Sequence, residues 1–267
     1  MSLYHYTDVN GLLGIIENKK IWATDIRFLN DSMEYYAGIE SLSKICDGMV
    51  NHDHGGDHIN KAFSDLYGIL KKGIKDNLEN RSLYVASFTD DRDNLRQWMS
   101  YCPPNGGYAI AFDRSKMVVS GGKDNKVVCR LEPVDYKDES MSNILSVDVI
   151  TRDLKQNSLD IKNYSSKIVN DLLFRCCAIK NKEFYDEHET RLIIQSKTTK
   201  DHDVKFRSKS GVVVPYFEYC IEPEWITEII IGPNVNMDLA TSGMKELLDR
   251  NSIQCKIERS CCSLRVL

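Results

Sequence analysis

The sequence predicts a single α+β domain, on three observations. Strand-like segments cluster in the middle and last third without regular strand–helix alternation, which argues against a doubly wound parallel sheet. The 267 residues are 42 % hydrophobic and 28 % charged, the composition of a globular chain long enough to bury a sizeable core. No fixed-period repeat appears, no Gly/Ser/Pro-rich linker divides the chain, and the prolines sit singly or at turns, so one domain over 1–267 is expected, with helical insertions at about 33–80 and 138–182.

Leu3–Thr7 alternates β-prone residues, and Asp8 stands as a cap before a helix with Val9, Leu12, Leu13 and Ile16 at helical spacing. After Asn18-Lys19-Lys20 comes a short strand at Ile21–Ala23, then a loop at Thr24–Ser32. A helix over Met33–Val50 carries Tyr36, Ile39, Leu42 and Ile45 on one face, and a second pattern runs through Ala62, Leu66, Ile69, Leu70 and Ile74. Ser82–Thr89 reads as a strand by its branched and aromatic content, feeding the loop Asp90–Asp93 and a helix at Asn94–Tyr101. Gly106-Gly107 turns the chain into a strand at Tyr108–Phe112, Lys126–Tyr136 is β-like, and Leu159–Lys182 is helical. Strands follow at Thr190–Gln195, Val204–Phe206, Val212–Tyr219 and Ile226–Ile231, then a helix at Met237–Arg250 and a last strand near Ile253–Ile257.

Thirty-five basic against 39 acidic residues leave a net charge of −4 with no long like-charge block, which disfavours a general electrostatic grip on nucleic acid and leaves room for a local basic groove. The longest apolar runs are strand-sized, far below the ~18 residues of a membrane span, so no membrane partner is expected. The opening Met-Ser-Leu shows neither a charged n-region nor an apolar signal core, and nine scattered cysteines lack C-x-x-C pairs; reduced thiols in a cytoplasmic protein are the expectation. Cys176-Cys177 and Cys261-Cys262 are poor ligand pairs and read as buried packing. Phosphate-loop, Rossmann, G-x-S-x-G and H-E-x-x-H patterns are absent. His52, His54 and His58 have spacing that can converge on a metal, but their Asp and Gly neighbours favour a solvated loop, and no metal is expected.

Three segments carry chemistry-bearing residues. His5 and Thr7 lie on one face of the opening strand, at a polar strand end. Ser87 and Thr89 alternate likewise, ahead of a helix bearing Trp98 and Tyr101. Glu187, Glu189 and Arg191 share a face where the chain enters an apolar strand, a surface charge cluster being the plain alternative. A metal-dependent nuclease using Asp90, Asp91, Asp93 and Glu189 is a further reading, against solvated loop acids.

These residues resemble two families. The run Leu3–Ile21, with His5-Tyr6-Thr7 leading into a helix and a return strand, resembles the opening motif of ADP-ribosyltransferases of the diphtheria-toxin and poly-ADP-ribose-polymerase type. Leu83–Thr89 with Asp93–Tyr101 is similar to their second motif, and Glu189 to their third. Across nearly its whole length the chain also resembles the bacterial domain of unknown function 2971 family. That likeness is carried by His5-Tyr6-Thr7, Arg27 to Glu34, Ser87 and Thr89, Trp98 and Tyr101, Gly106 to Asp113, Glu187 to Arg191, Val214-Pro215-Tyr216 and Ile231-Gly232-Pro233.

The transferase resemblance implies a mixed, split β-sheet core with flanking helices, and NAD as substrate rather than a resident cofactor. Cleaving the nicotinamide–ribose bond develops oxocarbenium character that a nearby carboxylate stabilises; Glu189 is the residue implied, with Glu187 placing the acceptor. The resemblance further implies His5 bonded to a ribose hydroxyl, the Tyr6 backbone on the nicotinamide amide, and Thr7, Ser87 and Thr89 supporting the ribose or Glu189. Trp98 or Tyr101, or else Tyr35 or Tyr36, would stack on the ring, and Arg191 or Arg27 would face the pyrophosphate. Tyr6 stands where the transferases usually have glycine, but a strand side chain there points to the opposite face. The implied activity is ADP-ribosyl transfer to a macromolecular acceptor, protein or nucleic acid, or NAD hydrolysis, as a toxin or phage-defence effector. The alternative is a non-catalytic nucleotide- or protein-binding module with a degenerate transferase fold.

Overall fold

The computed structural model describes residues 1–29, 34–51, 57–80, 82–102, 106–117, 127–137, 145–146, 150, 152, 161–196, 204–209, 211–233 and 236–262. Along the chain run β1 (Ser2–Thr7), α1 (Val9–Asn18), β2 (Lys20–Asp25), α2 (Glu34–Val50), α3 (Asp57–Asn80), β3 (Ser82–Thr89), α4 (Leu95–Tyr101), β4 (Tyr108–Asp113), the short α5 (Arg114–Met117) and β5 (Val127–Pro133). Then come α6 (Ile161–Cys176), β6 (Glu189–Ser196), β7 (Val204–Lys209), β8 (Val212–Cys220), β9 (Ile226–Ile231), α7 (Met237–Arg250) and β10 (Lys256–Arg259). The chain is thus α+β, built on one large mixed sheet: β9 and β10 are parallel and the other pairings antiparallel.

The sheet has two arms. One runs β10-β9-β4-β1, the other β5-β6-β3-β2-β8-β7. They meet through a single register pair, Tyr4 with Thr89. β4 holds β1 along its whole length, from Ser2 opposite Asp113 to Thr7 opposite Tyr108, and draws it away from β3. One edge of β3 is fully paired with β6, from Ser82 opposite Ser196 to Thr89 opposite Glu189. Its other edge takes β2 at Tyr84 and Val85 and β1 at Thr89, so between them Ala86–Phe88 face a cleft instead of a strand.

Alternation along the strands sorts side chains to two layers. Leu83, Val85 and Ile193 pack beneath α2, α3 and α6, with Leu42, Phe63, Leu66, Leu70 and Leu172 buried there. Tyr84, Ala86, Phe88, Leu192 and Ile194 face the other way, onto Leu12 and Ile16 of α1 and Met244 and Leu248 of α7. Each such buried side chain contributes about 2 kcal/mol. α2 approaches α6 closely because position 38 is glycine: a Cβ there would strike the backbone carbonyl of Cys176.

Several boundaries differ from the sequence reading: β2 runs on to Asp25 and β7 to Lys209, beyond the expected Ala23 and Phe206. The helix expected to reach Lys182 stops at Cys176, because the Asp135 N–H donates to the Ala178 carbonyl (2.7 Å) and the Lys180 N–H to the Asp135 carbonyl (3.2 Å), a β-bridge that outcompetes the next helical turn. A 3₁₀ turn then covers Lys182–Glu187, so Glu187 precedes β6 rather than lying in it. The last strand begins at Lys256, while Ile253 instead closes α7 through its N–H to the Leu248 carbonyl. Cys176 and Cys177 are buried as expected, but Cys261 is exposed, its backbone N–H tied to Asp93. The motif residues Asn30-Asp31 and the histidines 52 and 54 lie outside the described residues. Among the described residues no helix is long and apolar enough to cross a membrane.

Candidate functional site

The cleft where β1 parts from β3 widens into a cavity of about 550 Å³, within the ~300–1,000 Å³ span of small-molecule sites. Tyr4, Thr89 and Glu189 form one register row across β1, β3 and β6. At about 4.8 Å per strand the opening strand and the acid lie about 10 Å apart. His5, Thr7, Ser87, Thr89, Glu187 and Glu189 all line this one cavity.

His5 closes the open edge of β3. Its Nδ1 lies 2.9 Å from the Ser87 carbonyl oxygen, which can only accept, so Nδ1 carries the hydrogen and Nε2 is left as an acceptor. Burial lowers the imidazole pKa, outweighing that bond, and the charge of Arg207 lowers it further; His5 is neutral at physiological pH. Thr7 fits at the start of α1 because residue 11 is glycine: a Cβ there would collide with the Thr7 hydroxyl. The helix is capped by the Asp8 carboxylate, which accepts from the Gly11 N–H at 2.7 Å.

At the far wall four charges alternate in sign. Lys180 Nζ donates to Glu187 Oε2 (2.6 Å) and Glu189 Oε2 (3.0 Å). Arg191 donates from Nε to Glu189 Oε1 (2.9 Å) and from Nη2 to Oε2 (3.1 Å), and from Nη1 to the Cys177 carbonyl (2.8 Å). All four residues are buried. A single such charge left alone would cost several kcal/mol, but the set sums to zero and most of its polar atoms are bonded. The β-bridge that ended α6 is what turns Lys180 inward. Burial alone would raise the Glu189 pKa; Arg191 above all, then Lys180 and the Ser87 hydroxyl, override it and hold it at about 2. Glu189 is therefore a fixed negative charge and a poor base. Tyr101 Oη donates to Glu187 Oε2 (3.4 Å), and Gln97 Nε2 to the Glu187 carbonyl (3.2 Å).

The opposite end is formed by β2 and β7. Trp22, Thr24, Lys20, Arg207 and Lys209 line it, with the Trp22 and Tyr216 rings 4.8 Å apart. None of these five was singled out in the sequence, nor was Lys180.

Other expected residues lie elsewhere. The Tyr6 side chain points to the face opposite His5, its ring 4.5 Å from that of Trp98 and its hydroxyl donating to the Asp91 carbonyl (3.0 Å), and Tyr6 is among the residues that line the cavity. Trp98 is buried behind that face, its indole N–H donating to Asp93 Oδ1 (2.7 Å). Arg27 is exposed and paired with Asp25 at 2.7 Å, outside the cavity lining. Tyr36 is exposed. The loop acids diverge: Asp93 binds Trp98, Ser260 and the Cys261 N–H, Asp91 binds Asn94 and His188, and Asp90 faces Arg114. Among the described residues no group of three His, Cys, Asp or Glu side chains converges on a metal position.

A family model described as "Protein of unknown function (DUF2971)" matches residues 97–192. That stretch contains Trp98, Tyr101, Lys180, Glu187, Glu189 and Arg191, and supports the resemblance to this family. No curated protein and no solved structure matches the chain.

Proposed function

We propose that the cleft binds NAD and cleaves its nicotinamide–ribose bond, passing ADP-ribose to a macromolecular acceptor or to water. The observation that carries this reading is the meeting, in one cavity of dinucleotide size, of a neutral histidine acceptor, strand-end hydroxyls and a buried carboxylate held ionised. Bond cleavage sends the C–N electron pair to the nicotinamide ring and leaves an oxocarbenium-like ribose. A fixed negative charge lowers the energy of that species more than that of the ground state. With its pKa at about 2, Glu189 serves as electrostatic stabiliser rather than proton acceptor. His5 Nε2 takes a ribose hydroxyl, and the unpaired edge of β1 at His5–Thr7 offers backbone groups to the nicotinamide amide. Tyr101 reaches the Glu187 carboxylate and is the expected stacking aromatic that lines the cavity.

One observation favours the alternative, a nucleotide-binding module without chemistry: Glu189 already satisfies Arg191 and Lys180, and a neutralised carboxylate stabilises a cationic transition state less. Chromatographic assay of nicotinamide separates the two. The enzyme reading expects release from NAD by the pure protein, and a loss on the order of 100-fold in Glu189→Gln at equal folded fraction. Saturable NAD binding with no release in the wild type would leave only the binding module.

A further inference from the structure

Arg191 and Arg27, the arginines that the family resemblance assigns to phosphate, are both committed elsewhere: Arg191 to Glu189 and the Cys177 carbonyl, Arg27 to Asp25 through two nitrogens. A dinucleotide in the cleft carries two negative phosphates that need another partner. The lining holds five cations, Lys20, Lys180, Arg191, Arg207 and Lys209, against three carboxylates, Asp8, Glu187 and Glu189. Lys180 and Arg191 are balanced by the two glutamates, and Lys20 pairs with Glu218 at 2.6 Å. The other two cations of the lining, Arg207 and Lys209, stand on β7.

There Arg207 is set in place by contacts that leave its fork largely unused. Its guanidinium lies 5.5 Å from the Trp22 ring centre and 5.8 Å from that of Tyr216, and Nη2 donates to the Thr24 hydroxyl at 2.8 Å. Its Nε is buried and, among the described residues, makes no hydrogen bond. Asp8, the carboxylate whose charge it feels, is engaged with the Gly11 N–H. Lys209 lies two residues along the same strand, so both side chains project from one face of β7, and both line the cavity. A planar guanidinium ordered by stacking, with a spare buried donor and an ammonium beside it, matches the geometry of phosphate oxygens.

We propose that Arg207 and Lys209 form a phosphate subsite at the β7 end of the cleft, taking the pyrophosphate of the bound dinucleotide, with Trp22 as the aromatic wall beside it. This assignment rests on the nucleotide-binding reading of the cleft but not on its chemistry. The burial-driven lowering of both cations' pKa values, with Arg207 adding to that of Lys209, agrees with two positive groups brought together at a place an anion would relieve.

The test is calorimetric titration of the full chain with inorganic pyrophosphate and, separately, with adenosine. Pyrophosphate should bind, with affinity about 10–100-fold weaker in Arg207→Gln, as expected for losing a charge-assisted bond. Lys209→Gln should weaken it less, and Arg207→Lys should fall between wild type and Arg207→Gln because the charge returns without the fork. Adenosine affinity should be unchanged in Lys209→Gln, which leaves the Trp22 stack intact and guards against a misfolded Arg207→Gln. Pyrophosphate affinity unmoved by both glutamine substitutions overturns the subsite. So does NAD cleavage with unchanged KM in both variants, and in that case the enzymatic reading survives. Absence of nicotinamide release together with Arg207-dependent pyrophosphate binding removes the enzymatic reading and upholds the subsite.

Discussion

Replacing Glu189 by Gln removes one member of the buried charge quartet and should cost stability in a pH-dependent way. The carboxyl has an ordinary value of 4.5 and sits at about 2 in the folded protein. At 1.36 kcal/mol per pH unit, that displacement is about 3 kcal/mol of stabilisation at neutral pH. Truncating one partner of a buried pair elsewhere costs about 3–5 kcal/mol, so two routes agree. The folded-state value is depressed, so the contribution is complete above the unfolded value of 4.5 and is lost as pH falls towards 2. Urea unfolding followed by tryptophan fluorescence should therefore show a gap between wild type and Glu189→Gln of about 3 kcal/mol at pH 7, shrinking steadily below pH 4.5. A domain of ordinary stability, about 5–15 kcal/mol, stays folded through this loss, which permits the activity comparison at pH 7. A gap under about 1 kcal/mol, or one that stays constant as the pH falls to 3, would refute the charged-quartet argument.

Two glycines of α2 should respond with opposite signs to alanine. Gly38→Ala drives a Cβ into the Cys176 backbone and should destabilise by about 1–3 kcal/mol, whereas Gly48→Ala meets nothing within 4 Å and should stabilise by about 0.5–1 kcal/mol; urea midpoints check both, and equal signs would contradict the described α2–α6 packing. Trp98→Phe removes the donor to Asp93 and should cost about 1–2 kcal/mol of stability while leaving NAD affinity unchanged. Trp22→Ala should weaken NAD by about 1–3 kcal/mol, and calorimetry that ranks the two variants the other way would place the aromatic contact on the wrong ring.

Strand alternation made part of the site legible. Leu83 and Val85 share a face with Ser87 and Thr89, and Ile193 with Arg191 and Glu189, so an apolar stripe that turns polar at one end already marks where a sheet face leaves the core. That these ends meet His5 was a matter of strand order, and the branch at Thr89 that decides it arises from β1 preferring β4, a long-range pairing no local pattern encodes. Lys180 was hidden for a related reason: the Ile161–Ile179 stripe continues the helical period, and only the bridge to Asp135 turns it into a strand-like segment. Trp98 sits at the expected place in the chain but on the inner face of a one-sided helix, where an indole N–H finds Asp93. Arg207 and Lys209 lie past the strand expected to end at Phe206, and only the longer β7, with Trp22 and Thr24 of β2 against Arg207, brings them to the cleft.

Crystals of the protein with a carbocyclic NAD analogue, whose nicotinamide bond cannot be cleaved, test the central claim most directly. The account predicts density in the cleft between β1 and β3, with the nicotinamide ribose within hydrogen-bond reach of His5 Nε2, its C1′ facing Glu189, and the pyrophosphate on Arg207. An analogue bound with its ribose away from Glu189, or at any other surface while the cleft stays closed to it, would contradict the account.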